Sequence, residues 1–401
     1  MTRLTLAAGS LLLPSVLGVT LLASHYNGNL YTLSLTGTPG VSGNLSITST
    51  TTGCGTTPGW LELYPEDKTL YCFDESWSGS GSMAQYSVAA DGTLSLTAQV
   101  PTTGNDVHGT LYGGVDGKGF VASAQYSPST ITTYKLPFSS TSKPQQLEKF
   151  VLAAHGPNAR QDVPHPHEVL LDPTGKFFLV PDLGADLVRI FSMNSTSGHL
   201  TACPAAVTGP GDGPRHGVFW QPPTNVTGKA GGLLRLYTLN ELGNSVSAWT
   251  VTYDSPATDP AGCLMLNRTQ TLSTYPEGTK GGPNTKAAEI RVRDNYVYAS
   301  NRADESFGTQ LDSLAMYRID PTTGALGWVE WTNAHAYYPR TFAINKAGTL
   351  VAVGGQTSSN VAIIARDTTT GKLGPLVTSL QIGTVGRAGE EDGLSAVVWV
   401  E

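Results

Sequence analysis

The sequence predicts an all-β chain closed into a seven-bladed β-propeller with four-stranded antiparallel blades. Three observations carry that expectation. Short apolar or alternating runs, each bounded by turn residues, recur along nearly the whole chain. Seven hairpins of one kind follow each other at intervals of about 45 to 70 residues, the spacing of propeller blades. The composition, with 46 Gly, 25 Pro and only 14% charged residues in 401, suits short strands and tight turns and not long helices.

The hairpins run in order LYTLSLTGTPGVSGNL, QYSVAADGTLSL, ITTYKLPFSSTSKPQQL, RIFSMNSTSGHL, SAWTVTYDSPATDPAGCL, AMYRIDPTTGALG and AIIARDTTTGKLG. Before them stand residues 1–18, MTRLTLAAGSLLLPSVLG, where Arg3 precedes an apolar stretch and small residues follow. That is the pattern of a secretory leader, with cleavage after Gly18 and Val19–Ser24 as the first strand of the mature chain. Pro14 breaks the apolar run, which argues against a spanning helix. The expected organisation is therefore a leader over 1–18 and one propeller over 19–401. Length alone would allow two or three domains, but a repeat running end to end favours a single ring.

Each repeat opens with a strand, a turn and a second strand. The first begins near Trp60 with LELYPEDKTLYCFDE, and His108 opens GTLYGGVDGKGFVASAQY. The clearest is His165–Phe191, read as strands Glu168–Leu171, Lys176–Val180 and Leu187–Phe191. Its Asp172-Pro-Thr-Gly175 turn places Pro second and Gly fourth, so the first two strands are antiparallel neighbours. His165 and His167 then share one end of the sheet with Asp182 and Gly184. Arg215 opens HGVFW, an insertion over Trp220–Gly232 and LLRLYTLNE; Glu289 opens IRVRDNYVYASNR; Arg340 opens TFAINKAGTLVAVGGQ. Gly278–Lys286 and Gly383–Gly393 read as further surface loops able to cover an entrance. The last strand, LSAVVWV, is expected to close the ring beside the N-terminal strands and so remove an exposed edge.

Four cysteines in an exported chain read as two disulfides, Cys54 with Cys72 and Cys203 with Cys263. No C-x-x-C occurs, so a metal-site reading fails on spacing. Sequons at Asn44, Asn194, Asn225 and Asn267 provide glycan acceptors on expected rims. The net charge of −7 and the absence of any run of like charge argue against nucleic acid. No nucleophile elbow and no Walker loop is present, which disfavours serine hydrolase and nucleotide chemistry.

In such a ring the starts of inner strands and the ends of second strands meet at one end of the central channel. Starts contribute His108, His165, His167, Arg215, Glu289 and Arg340; ends contribute Asp182, Glu241, Arg302 and Gln356. Three guanidiniums facing one cavity imply a small anionic ligand. A His and a Glu beside them can exchange a proton near neutral pH. The competing readings are structural: His165 and His108 as bridges between blades, Arg215 with Glu241 as a staple, and Asp182 as a turn carboxylate. His216, next to Arg215 on a strand, is expected on the opposite face.

Taken together, HPHEVLLDPTGKFFLVPDLGADLVRIF, GDGPRHGVFW, LYTLNELGNSVSAW, AAEIRVRDNYVYASNRADES and YPRTFAINKAGTLVAVGGQTSSNVAIIARDTTTGKLG resemble the lactonase family of seven-bladed propellers. That family holds fungal carboxy-cis,cis-muconate cyclases and bacterial 6-phosphogluconolactonases. The match is specific from about residue 160 to 375; in the earlier blades Gln125-Tyr126 stands where the family has N-Y. The resemblance implies a cleft lined by His167, Arg215, Glu241 and Arg302 that needs no metal; the convergence of strand ends adds Arg340, His165, His108, Gln356 and Glu289 as expected substrate-binding residues, and no cofactor is expected. The main expectation is a cyclase that lactonises an unsaturated polycarboxylate, with His167 or Glu241 as the acid. The alternative within the family is a lactone hydrolase using the same pair to activate water. Export makes a phosphorylated sugar lactone a less natural substrate than an aromatic-breakdown acid or a plain sugar lactone. An alternative of another class is a secreted or cell-wall glycoprotein, an antigen or adhesin, that does no chemistry.

Overall fold

The computed structural model describes residues 18–38, 41–222, 232–253, 262–390 and 392–401. Those residues form seven four-stranded antiparallel sheets arranged as the blades of a propeller. The innermost strands are Pro58–Tyr64, Asp106–Tyr112, Leu170–Leu171, Pro214–Trp220, Lys286–Arg293, Pro339–Ile344 and Leu394–Val400. Leu394–Val400 pairs antiparallel with Val19–His25, so the two chain ends share one blade and the ring closes as the sequence predicts.

Burial explains which strands sit where. Phe177–Asp182 and Leu350–Gly355 are buried at every position, because a second strand is covered by blades on both faces. The outermost strand Leu264–Ser273 alternates instead, since one face meets solvent. Between blades the core is apolar: Ala122 and Ala124 of one pack on Phe178 and Val180 of the next. Leu21 and Leu33 of the closing blade pack on Val361 and Ile363.

The Asp172–Gly175 turn forms as expected, with Gly175 at φ +66° and its N–H on the Asp172 carbonyl. The Asp172 Oδ1 accepts from the N–H groups of Lys176 and Phe177, which fixes the return of the chain. The strand before it is shorter than its pattern suggests, Leu170–Leu171 in place of Glu168–Leu171. The register steps by one residue between the Leu170–Leu179 pair and the isolated Pro166–Asp182 bridge, which takes Glu168 and Val169 out of the ladder, and Pro181 opposite them has no N–H to give. The second strand runs Phe177–Asp182 and the third Leu187–Met193. His165 and His167 meet Asp182 at one end of this sheet: the His167 N–H bonds the Pro181 carbonyl, and the His165 N–H bonds Asp182 Oδ1 at 2.7 Å. Gly184 lies where an added Cβ would collide with the Val163 carbonyl, so only glycine fits this corner.

Both disulfides form as paired from the sequence, with Cα–Cα separations of 5.7 and 5.8 Å. They close segments of 18 and 60 residues, for which loop entropy gives about 3 and about 4 kcal/mol. Replacing Cys203 and Cys263 by Ser is expected to lower Tm more than replacing Cys54 and Cys72. Equal melting of both double variants and the parent protein would contradict it. Of the sequons, Asn44, Asn194 and Asn267 are exposed, but Asn44 and Asn267 lie in outer strands and only Asn194 in a turn. Asn225 and residues 1–17 of the expected leader lie outside the described residues. No described helix is long and apolar enough to cross a membrane.

Candidate functional site

A β-bulge recurs where the inner strands begin. The register slips at Pro58/Trp60, Asp106/His108, Pro214/His216, Ala287/Ile290 and Pro339/Thr341. Each bulge adds a residue and breaks the two-residue alternation, so consecutive side chains can both reach the channel. This corrects the expected orientation of His216. Its Nδ1 lies 3.1 Å from Glu289 Oε1, while the Nε of the preceding Arg215 lies 2.9 Å from Glu241 Oε2.

At the end of the channel where inner strands start, a cavity of about 240 Å³ opens to solvent. Its walls carry four cations, Arg160, Lys286, Arg302 and Arg340, and two carboxylates, Glu75 and Glu241. His167 is the imidazole on the wall, and Trp77 and Tyr126 form an aromatic rim. Among the described residues no group of three or more His, Cys, Asp or Glu side chains is placed to hold a metal ion.

Glu241 follows the second strand Arg235–Asn240 and is almost fully buried. Its Oε1 pairs with Arg160, and its Oε2 lies 2.9 Å from both Arg215 Nε and Arg302 Nη2. Burial alone would raise this carboxyl. The charges of Arg160, Arg302 and Arg215 overcome that and hold it well below the usual carboxylate range. Arg302 also donates to the Ala287 carbonyl at 2.9 Å and lies 5.2 Å from the Tyr338 ring centroid. Arg215 is only 1% exposed and donates to the Ala288 carbonyl; burial pushes it down to about 10, so it stays charged at neutral pH. Arg340 reaches Glu75 Oε2 at 2.6 Å, and the Tyr26 hydroxyl donates to the same oxygen.

His167 is buried, with its ring edge-on to His216 and Tyr126 at 5.2 and 5.7 Å between centroids. Its Nδ1 has no hydrogen-bond partner among the described residues. Burial, reinforced by the charge of Arg215, keeps the imidazole well below its ordinary pKa and therefore neutral. A neutral imidazole beside several guanidiniums is a base next to anion-stabilising groups.

The other expected site residues separate from this cavity. His108 and Glu289 lie deeper in the channel: His108 stacks on Trp60 at 4.1 Å, and Glu289 accepts from His216 and pairs with Arg291 at 3.0 Å. Burial drives His108 well down and Glu168 well up, which disfavours an ion pair at their 3.7 Å contact. Burial takes His216 down to about 4, whereas Arg291 and His216 take Glu289 down to about 2 against its burial. His165 does not line the cavity, because its ring stacks on Tyr126 at 3.9 Å and bonds the Tyr126 carbonyl and Asp162. Gln356 is likewise committed elsewhere, donating to the Glu390 carbonyl at 3.0 Å. Asp182 is structural as expected, accepting from Arg189 Nε at 2.7 Å and from the His165 N–H. Arg215 sits behind Glu241 and does not reach the wall.

Sequence reasoning missed five cavity residues: Glu75, Trp77, Tyr126, Arg160 and Lys286. Glu75 had a signal, since LYCFDE ends as LYTLNE does at Glu241. Tyr126 ends the second strand of its own blade in the same way. Arg160 had none: it comes from the long connection after Gln146–Lys149, and its side chain is 38% exposed.

A model of the lactonase family, described as a lactonase seven-bladed β-propeller, matches residues 20–388. The chain belongs to that family. This lactonase-family chain is 33% identical over 349 residues to a protein of Arthroderma benhamiae named probable 6-phosphogluconolactonase, covering 85% of this chain and 79% of that one. It is 28% identical to a 6-phosphogluconolactonase of Formosa agariphila, over 80% and 85% of the two chains. Among solved structures, the periplasmic gluconolactonase of Pseudomonas aeruginosa superposes with a TM-score of 0.74 at 22% identity, over 92% of this chain and 98% of that one. At that identity the likeness shows the shared fold.

Proposed function

We propose that the chain is a lactone hydrolase acting on a sugar lactone at the cavity around His167. The carrying observation is that His167, buried and held neutral, lines the same cavity wall as Arg302 and Arg340. His167 takes a proton from a water as it attacks the lactone carbonyl, and the guanidiniums stabilise the oxyanion. The tetrahedral intermediate then expels the ring oxygen, which receives the proton from His167, and the product is an open-chain hydroxy acid. Glu241 stays an anion throughout and holds Arg160, Arg215 and Arg302 in place.

Two considerations favour hydrolysis over cyclisation. Delivering a proton to carbon needs a group that carries one at neutral pH, and burial keeps His167 unprotonated while three arginines keep Glu241 ionised. The relatives from Arthroderma and Formosa are also named for lactone hydrolysis. Export by the leader at 1–18 belongs to the same reading and would present the site with extracellular lactones. The test is a pH-stat assay on glucono-1,5-lactone beside an absorbance assay on 3-carboxy-cis,cis-muconate. Acid release above the uncatalysed rate, without diene loss, is expected. Diene loss without acid release would replace this reading with the cyclase.

A further inference from the structure

The wall of the His167 cavity holds a second carboxylate that the hydrolysis above does not use, Glu75. We propose that Glu75 and Tyr26 are positioning residues for the reaction: they fix the guanidinium of Arg340 where the lactone carbonyl becomes an oxyanion. This rests on the lactone-hydrolase reading and names the groups that aim one of its arginines.

Three blades meet in this contact. The inner strands Pro339–Ile344, Leu394–Val400 and Pro58–Tyr64 are neighbours around the channel. Arg340 comes from the first, Glu75 follows the second strand of the third blade, Thr69–Asp74, and Tyr26 follows Val19–His25 in the closing blade between them. Arg340 Nη2 and the Tyr26 hydroxyl both donate to Glu75 Oε2, each at 2.6 Å, and the Tyr26 ring centroid lies 5.6 Å from the guanidinium carbon. All three side chains are buried, where charge-assisted bonds of this length fix direction as well as distance. Backbone bonds hold the partners in turn: the Glu75 N–H donates to the Thr57 carbonyl at 2.8 Å and the Tyr26 N–H to the Gly393 carbonyl at 2.9 Å. Gly59 completes the cradle. A Cβ at Gly59 would stand 2.6 Å from Glu75 Oε2 and 2.8 Å from its Cβ, so the inner strand admits this carboxylate only with glycine there. A guanidinium held in advance needs no reorganisation when charge develops on the carbonyl oxygen, which is how such donors accelerate acyl transfer. Tyr26 lies outside the cavity wall and reaches substrate only through this contact. Its strand is zipped to Leu394–Val400, so the aim of Arg340 depends on closure of the ring.

The experiment measures kcat and KM for glucono-1,5-lactone, with Tm to correct for the folded fraction, in Arg340→Ala, Glu75→Gln, Tyr26→Phe and Gly59→Ala and in the last two combined with Arg340→Ala. Arg340→Ala should lower kcat about a hundredfold, the loss of one oxyanion donor, and Glu75→Gln should approach it. Tyr26→Phe and Gly59→Ala, which leave every cavity side chain in place, should each cost about tenfold in kcat at little change in KM. In the Arg340→Ala background neither should lower kcat further, because the group they aim is gone. Loss of Tm with kcat of the folded enzyme unchanged is what a merely structural role gives, and it overturns the proposal; so does a loss in kcat that persists without Arg340. Turnover of no lactone by the parent protein would remove the hydrolase reading instead. Calorimetry with gluconate then judges the contact alone: binding weakened by Arg340→Ala and by Tyr26→Phe retains the positioning role, and no binding, or binding that Tyr26→Phe leaves unchanged, discards it.

Discussion

His167→Ala is expected to lower kcat/KM for lactone hydrolysis by about 10²–10⁴-fold, the usual contribution of a positioned general base. The fold should survive, because His167 Nδ1 bonds nothing among the described residues and its backbone bond to Pro181 is retained. The pH profile of the parent enzyme is the sharper measurement. Burial and Arg215 lower the His167 pKa, so the base is already free at pH 6.5 and is lost only well below it. Activity should therefore stay level from neutral pH down past 6.5 and fall in more acidic solution. An acid limb centred at or above 6.5, or an alanine variant with full activity, would remove His167 from the mechanism.

Glu241→Gln is expected to cost about 3–5 kcal/mol, because it leaves guanidiniums packed around a site without its counter-charge. In a chain of this size that is a fall in Tm on the order of 4–6 °C. The sign with pH follows from the depressed carboxyl. Its folded pKa lies below the unfolded value, so the stabilisation is complete above about 4.5 and is lost as pH falls toward the folded pKa. The gap in Tm between parent and variant should be widest near neutrality and narrow below pH 4.5. Melting curves at pH 7 and pH 3.5 measure it. A gap that is absent at pH 7, or that widens in acid, would show that Glu241 is not the anion on which the arginines depend.

Much of the fold was legible because the signals are local. Alternation with period two, Asp-Pro-Thr-Gly at residues 172–175 and seven similar hairpins state where strands run and reverse. The short Leu170–Leu171 strand departed from its pattern because a one-residue register step before Leu170 takes Glu168 and Val169 out of the ladder, opposite a Pro181 that has no N–H to give. In the site, His167, Glu241, Arg302 and Arg340 reached the cavity as expected, since strand ends in successive blades converge on one end of the channel. His165, His108, Gln356 and Glu289 did not, because nearer partners claim them: Tyr126, Trp60, the Glu390 carbonyl and His216.

By itself, then, the sequence determined the blades, their closure through Leu394–Val400 and the pairing of Cys54 with Cys72 and Cys203 with Cys263. Only the tertiary structure decided which side chains share the cavity and which charge each one carries. A bulge after Pro214 turned His216 inward, and a loop from another blade brought Arg160 to a carboxylate 81 residues away. The physical reason is range. Periodicity and turn chemistry act between neighbours in the chain, whereas desolvation and Coulomb energy depend on what surrounds a group in space. That is why His167 and Glu241, interchangeable as proton carriers in the sequence, become a neutral base and a fixed anion once the ring has closed around them.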